Sequence, residues 1–258
     1  MTAKRMWALP GASYTLDVGI MILGGQGKVT IPSPCYLIEH ERGLVLFDTG
    51  LTPDAVGDPV KVFGALAEEV GMTLTEDQCV DNQIRALGLR PEQVTHVVAS
   101  HVHLDHSGGL RLFPDARFYA GAGELPYAFW PLPAGAGLYR SADIEATRGF
   151  RWDAELSEDH DLFGDGSVVV LRTPGHTPGH SSLLVRLTHR SFILTGDAVH
   201  LRTALEADLP MPSDHDTAAS VASIRRLRRL RDSLEATVWI SHDPEDWADL
   251  KHAPASYE

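Results

Sequence analysis

The densest run of chemistry-bearing residues in the 258-residue chain is SHVHLDHSGG, residues 100–109. His101, His103, Asp105 and His106 fall within six positions, directly after the apolar stretch VTHVVAS. On extended chain, side chains two residues apart share a face, so His101 and His103 can grip one ion. Asp105 and His106, turned by the loop, can reach a second. One loop supplies too few ligands for two ions, so distant segments must contribute. His176 in TPGHTPGH, Asp197 in FILTGD and His242 in VWISHD each stand just past an apolar, strand-like run.

These types set the chemistry. Imidazole and carboxylate without thiolate suit zinc, iron, cobalt, manganese or nickel, and zinc is the commonest hydrolytic choice. One ion would take three histidines and the other two histidines with an aspartate, with a shared carboxylate and a shared water between them. Positions left open to water mark a catalytic centre rather than a structural one. A lone loop histidine is ordinarily structural. Four segments of the same form, each entering from an apolar run, argue against coincidence. The histidines at 40, 96, 160, 189, 215 and 252 lack that context and are expected at the surface or in the core. His180 is expected to orient its neighbours, and Asp48 in FDTG to hold a ligating imidazole through its far nitrogen.

Groups just past strand ends converge on one rim when a sheet carries helices outside it. The elements needed for this are readable. CYLIEH and GLVLFDTG flank the turn ERG and predict a hairpin. Residues 54–70 and 75–87 are expected as helices, the second opened by a Thr75/Gln78 capping box with Val80, Ile84 and Leu87 on its inner face. GSVVVLRT, SSLLVRL, SFILTGD and ATVWIS predict strands in the second half. A helix over 216–232 is expected between the last two, capped by Asp216, with Val221, Ile224, Leu227 and Leu230 inward. Residues 121–160, rich in Pro, Gly and aromatics, are expected to form a long irregular excursion. No internal repeat is present, and residues 1–258 are expected to form a single domain.

Composition excludes several functions. The formal net charge of −13 disfavours nucleic acid and anionic membranes as partners. The five arginines of the 216–232 helix therefore predict a solvated face that offsets nearby acids. Cys35 and Cys79 form no Cys-x-x-Cys pair, which removes a disulfide framework and a thiolate zinc site. No apolar run approaches the ~18 residues of a membrane span, so a soluble, cytoplasmic protein, monomer or homodimer, is expected.

SHVHLDHSGG, TPGHTPGHSS, LTGDA and the late SHD resemble the signature of the metallo-β-lactamase superfamily. Within it the chain is most similar to the N-acyl homoserine lactonases. The likeness includes the opening MTAKRMWALPGASYTLD, the CYLIEHERGLVLFDTG hairpin and the spacing from TGDAVH through SIRRLRRL to ISHD. The resemblance implies a four-layer αββα sandwich and two divalent ions, zinc foremost, with iron, cobalt or manganese as alternatives. It implies that His101, His103 and His176 hold one ion, that Asp105, His106 and His242 hold the other, and that Asp197 bridges them. It implies a quorum-quenching hydrolase of carboxylic esters that opens the lactone ring of N-acyl homoserine lactones. Asp105 would carry the proton to the leaving alkoxide. Such lactonases commonly carry a tyrosine three residues after the bridging aspartate; here His200 stands in its place, as a candidate donor to the substrate carbonyl. Phe63, Phe129 and Trp130 are candidates to line an acyl trough. The alternatives are another small lactone or ester, of the pyridoxolactone type, and a thioester of the glyoxalase II type. Flavodiiron chemistry is disfavoured because that motif has Glu where this chain has His103.

Overall fold

The computed structural model describes residues 2–258 and contains eleven strands in two sheets. The first sheet runs β1 (Arg5–Asp17), β2 (Lys28–His40), β3 (Gly43–Phe47), β4 (Val94–Val98), β5 (Arg117–Gly121) and β6 (Arg151–Leu156), in that spatial order. The second runs β11 (Thr237–Trp239), β10 (Ser191–Leu194), β9 (Ser181–Arg186), β8 (Val168–Arg172) and β7 (His160–Asp161). The predicted hairpin is β2–β3, antiparallel with Tyr36 opposite Phe47 and His40 opposite Gly43.

Alternation along the strands builds the layers. Tyr36, Ile38, Val45 and Phe47 face Val170, Leu183, Val185, Phe192 and Trp239 of the other sheet in one buried core. The intervening Leu37, Leu44 and Leu46 point outward, against Val80 and Ile84 of the helix Val80–Ala86. On the far side Leu184, Ile193 and Val238 point outward, against Ile224 and Leu227 of the helix Thr217–Leu234. Period-two burial on strands and one buried stripe on each helix give helix, sheet, sheet, helix, the αββα sandwich expected from the sequence.

The Thr217–Leu234 helix is capped by the Asp216 carboxylate, which accepts from the amides of Ala218 and Ala219. Ile224 and Leu227 are fully buried, whereas Val221 and Leu230 are only half-buried. Its arginines meet acids: Arg225 and Arg228 pair with Asp208, Arg226 with Asp159 and Arg231 with Glu206. The helix's positive charge is thus offset by nearby acids, as the sequence predicts. Among the described residues no helix is long and apolar enough to cross a membrane.

Three expectations need correction. Residues 54–70 are not one helix but three short pieces, Pro53–Ala55, Pro59–Phe63 and Ala65–Glu69. Gly57 and Gly64 sit at φ of +76° and +58° and break the helical path between them. The Thr75/Gln78 box caps a short 3-10 turn, Glu76–Gln78, and the α-helix starts only at Val80. The 121–160 segment is more ordered than its composition suggests. It holds the helices Glu124–Phe129 and Ser141–Glu145 and the edge strand β6, paired in parallel with β5.

Candidate metal centre

Strand register brings the ligands to one rim. β3 and β4 are parallel, with Phe47 beside Val98, so Asp48 and His101 leave the sheet side by side. β10 and β11 are parallel, with Leu194 beside Trp239, so Asp197 and His242 do the same from the other sheet. His176 follows the end of β8, and His103 caps the short helix Leu104–Ser107 that carries Asp105 and His106.

All seven side chains singled out for metal come together, in two groups. His101, His103, His176 and Asp197 form one, and Asp105, His106 and His242 the other, with the ligand atoms of each group within 4.8 Å of one another. In the first, His101 Nε2 and His176 Nε2 stand 2.9 and 3.1 Å from His103 Nδ1. Asp197 lies between the groups. Its Oδ2 is 3.8 Å from His101 Nε2 and 3.6 Å from His176 Nε2. Its Oδ1 is 3.1 Å from both His106 Nε2 and His242 Nε2. Asp105 Oδ2 completes the second group, 3.5 Å from His106 Nε2 and 3.7 Å from His242 Nε2. Bonds of ~2.05 Å to a tetrahedral ion would put ligand atoms about 3.3 Å apart, the middle of this range.

The far nitrogens of the imidazoles are held. His101 Nδ1 meets Ser100 Oγ at 2.9 Å and His106 Nδ1 meets Asp48 Oδ2 at 2.8 Å. His176 Nδ1 meets Asp214 Oδ1 at 2.8 Å, and His242 Nδ1 donates to the Pro32 carbonyl at 2.6 Å. Nε2 of His101, His106, His176 and His242 is thereby left to face inward with its lone pair. Asp48 also accepts from the Ser100 amide at 2.7 Å, which ties β3 to the loop after β4. His180 has the orienting position expected of it. Its Nε2 accepts from the Asp197 amide at 2.9 Å, and its Nδ1 reaches the Thr173 carbonyl at 3.0 Å.

Electrostatics makes the same demand for cations. Burial and the neighbouring imidazoles push the pKa of His101 and His103 well down, so both stay neutral. Asp197 is buried and Asp105 partly so, which disfavours charge, yet the surrounding histidines outweigh this and hold both carboxyls ionised. His106 Nε2 and Asp197 Oδ1 are fully buried and have no hydrogen-bond partner. Buried anions and lone pairs without partners are costly unless a cation meets them. The donor set therefore fits two divalent ions.

Above this floor lies a cavity of about 130 Å³. Its polar end is Asp105, Asp197, His200 and His242, and its walls are Leu16, Ile20, Met21, Leu66, Val70 and Met72. His200 is buried in the wall with Nε2 3.1 Å from Asp197 Oδ2. Burial lowers its pKa, so it is a neutral imidazole. Phe63, Phe129 and Trp130 do not line this cavity. Phe63 packs against the cluster of Ala12, Met21 and Leu104, while Phe129 and Trp130 are exposed, the latter by 88%. The apolar wall comes instead from β1 and from the turns and helices around residues 18–31 and 65–72.

Sequence reasoning missed three residues here. Asp214 orients His176 and lies in the stretch PSDHD with no strand before it. Tyr14 lines the cavity from β1, 95% buried, and its hydroxyl has no hydrogen-bond partner. Glu124 is wholly buried behind the ligand loops. The only signal for Glu124 was a charged residue amid the small and apolar residues of AGAGELPYA.

Two ligand groups sharing one carboxylate, at the open rim of an αββα sandwich and beneath an apolar cavity, define a dinuclear metallohydrolase architecture. A family model described as the metallo-beta-lactamase superfamily matches residues 30–242. The N-acyl homoserine lactonase AttM of Rhizobium radiobacter is 36% identical over 264 aligned residues, covering all of both chains. An N-acyl homoserine lactonase of Bacillus sp is 29% identical, covering 98% of this chain and 99% of its own. A solved N-acyl homoserine lactone hydrolase, with the product N-hexanoyl-L-homoserine at its catalytic metal centre, superposes with a TM-score of 0.88 at 25% identity over the full length of both. The chain belongs to the metallo-β-lactamase superfamily and, within it, to the N-acyl homoserine lactonases.

Proposed function

We propose that this chain hydrolyses the lactone ring of N-acyl homoserine lactones, with residues 1–258 working as one domain. The observation that carries this reading is the placement of the two ligand groups at the floor of an apolar-walled cavity. A polar ring with an apolar tail fits that division. The full-length likeness to named lactonases supports the same substrate.

His101, His103 and His176 would hold one ion and Asp105, His106 and His242 the second, with Asp197 between them. Zinc is the ion we assign, because imidazole and carboxylate donors without thiolate suit it and hydrolysis needs no redox change. Two divalent ions bound there make hydroxide available near neutral pH and polarise an ester carbonyl. The reaction forms a bond from hydroxide to the carbonyl carbon and breaks the bond from that carbon to the ring oxygen. Asp105, in the cavity floor with Ser33 Oγ 3.4 Å from its Oδ2, carries the proton to the departing alkoxide. His200, neutral and in the cavity wall, would turn the Nε2–H that now faces Asp197 Oδ2 at 3.1 Å to the ester oxygen, where the likeness would place a tyrosine hydroxyl. The tail lies along Leu16, Ile20 and Met72. The product is the N-acyl homoserine.

A pH-drop assay of short- and long-chain acyl homoserine lactones, other lactones, a β-lactam and a thioester tests the substrate, alongside elemental analysis of the purified protein. The expected result is hydrolysis of the acyl homoserine lactones with about two ions per chain. Activity confined to the thioester or β-lactam would overturn the substrate, and full activity in a metal-free preparation would overturn the mechanism.

A further inference from the structure

Glu124 opens the helix Glu124–Phe129, is wholly buried and belongs to neither ligand group. Its carboxylate accepts three hydrogen bonds. Oε1 takes the Val102 amide at 2.9 Å, and Oε2 takes the Thr177 hydroxyl at 2.6 Å and the Gly179 amide at 3.1 Å. Val102 stands between His101 and His103, and Thr177 follows His176. One side chain thus ties the loop carrying two ligands of the three-histidine group to the loop carrying the third.

The second loop is gripped from both polarities. Arg172 donates to the carbonyls of Pro178, Gly179 and His180, while Glu124 receives the loop's N–H and O–H donors. Glycine is required for this approach at two positions. A Cβ on Gly179 would stand 2.6 Å from the Glu124 amide nitrogen, and one on Gly121 would collide with the Arg172 guanidinium and the Gly179 carbonyl. Burial disfavours the charge on Glu124, and the three donors act against that. A carboxylate this deep, with every donor converging from ligand-bearing loops, is costly as mere filling.

We propose that Glu124 is a positioning residue that sets the spacing of His103 Nδ1 and His176 Nε2, now 3.1 Å, and through it the affinity of the three-histidine group for its ion. The proposal rests on the metal reading of the site. Its test is Glu124→Gln in the zinc-loaded protein. Glutamine keeps the volume but has one acceptor oxygen in place of two, so either orientation leaves the Val102 amide or the Thr177 and Gly179 donors unmet. Zinc release to a chromophoric chelator is followed in wild type and variant, with thermal unfolding measured in parallel. The expected result is that one of the two ions leaves about 10–100-fold more readily while the other is held as in wild type. A variant that unfolds at lower temperature yet keeps both ions with wild-type affinity would overturn the proposal and leave Glu124 a fold-stabilising residue. Thr177→Val, which removes one of the three bonds and keeps the charge satisfied by two amides, covers the case in which Glu124→Gln does not fold. It should loosen the same ion several-fold, and unchanged retention would overturn the proposal. A wild-type protein that takes up no zinc would overturn the metal reading and this proposal together, whereas wild-type retention by a folded variant overturns only the role of Glu124.

Discussion

Asp48→Asn isolates the role of a hydrogen bond that no substrate touches. Asp48 sits at φ +62°, a region asparagine adopts as readily as aspartate, so the backbone is not strained by the change. The asparagine carbonyl can keep the Ser100 amide, now bound at 2.7 Å. Its NH2 then faces His106 Nδ1, which donates to Asp48 Oδ2 at 2.8 Å in the native protein. Two donors cannot share that contact. His106 must shift its proton to Nε2, the atom 3.1 Å from Asp197 Oδ1, and so lose the lone pair that faces the ion. Loss of such a partner typically weakens metal binding 10–100-fold, which is about 1.4–2.7 kcal/mol. At fixed free zinc the loaded protein should lose about that much stability, or roughly 3–10 °C in Tm for a chain of this size. The assay is unfolding by differential scanning calorimetry at several fixed free-zinc levels, with zinc content after dialysis. The expected result is a gap between wild type and variant that widens with free zinc. Equal zinc content and a gap independent of zinc would refute the tautomer argument.

Four further outcomes are expected. Asp105→Asn should keep the fold yet lose most hydrolysis, and full turnover in that variant with both ions bound would remove the proton-carrying role. Leu66→Trp, on the apolar wall, should lower kcat/KM for a long acyl chain by ~10-fold or more and leave a short chain within about twofold, as read from a chain-length series. Trp130→Ala should change KM for no chain length, because its ring is exposed and lies outside the cavity; a selective loss on long chains would restore it to the trough. Asp143, buried beside Arg140, has its pKa pushed up to about 6 by burial, against 3.8 unfolded. A raised carboxyl contributes stability below the unfolded pKa and loses it as pH rises through the folded one, here over roughly pH 4 to 6. Asp143→Asn should therefore flatten the stability profile in that window by up to about 3 kcal/mol, measured by urea unfolding at each pH.

Legibility of the sequence followed the range of the physics involved. β2 through β4 and β8 through β11 could be read because their burial alternates or runs apolar over five or six residues, a local pattern. The metal groups could be read because each segment carries its ligand at the end of such a run. The helices at 54–70 were misjudged because apolar periodicity continues across Gly57 and Gly64 and was given more weight than the breaker run Gly57-Asp58-Pro59, where Asp58 caps a new helix. The acyl wall was misplaced for a different reason. Large aromatics attract attention, but Trp130 is turned to solvent, and the wall is built from Leu16, Ile20, Leu66 and Met72, which lie up to 56 residues apart in sequence. Glu124 and Asp214 were silent because a carboxylate's task depends on which amides or imidazoles reach it, and those are 22 to 55 residues distant.

The shared carboxylate at position 197 has a kinetic consequence. Each ligand group draws on both sheets: His101 and His103 meet His176, and Asp105 and His106 meet His242. Loosening a single loop therefore leaves each ion still held by the ligand from the opposite sheet. Release under native conditions should therefore be slower than from a site built on one loop, because a freed ligand can return before the others let go.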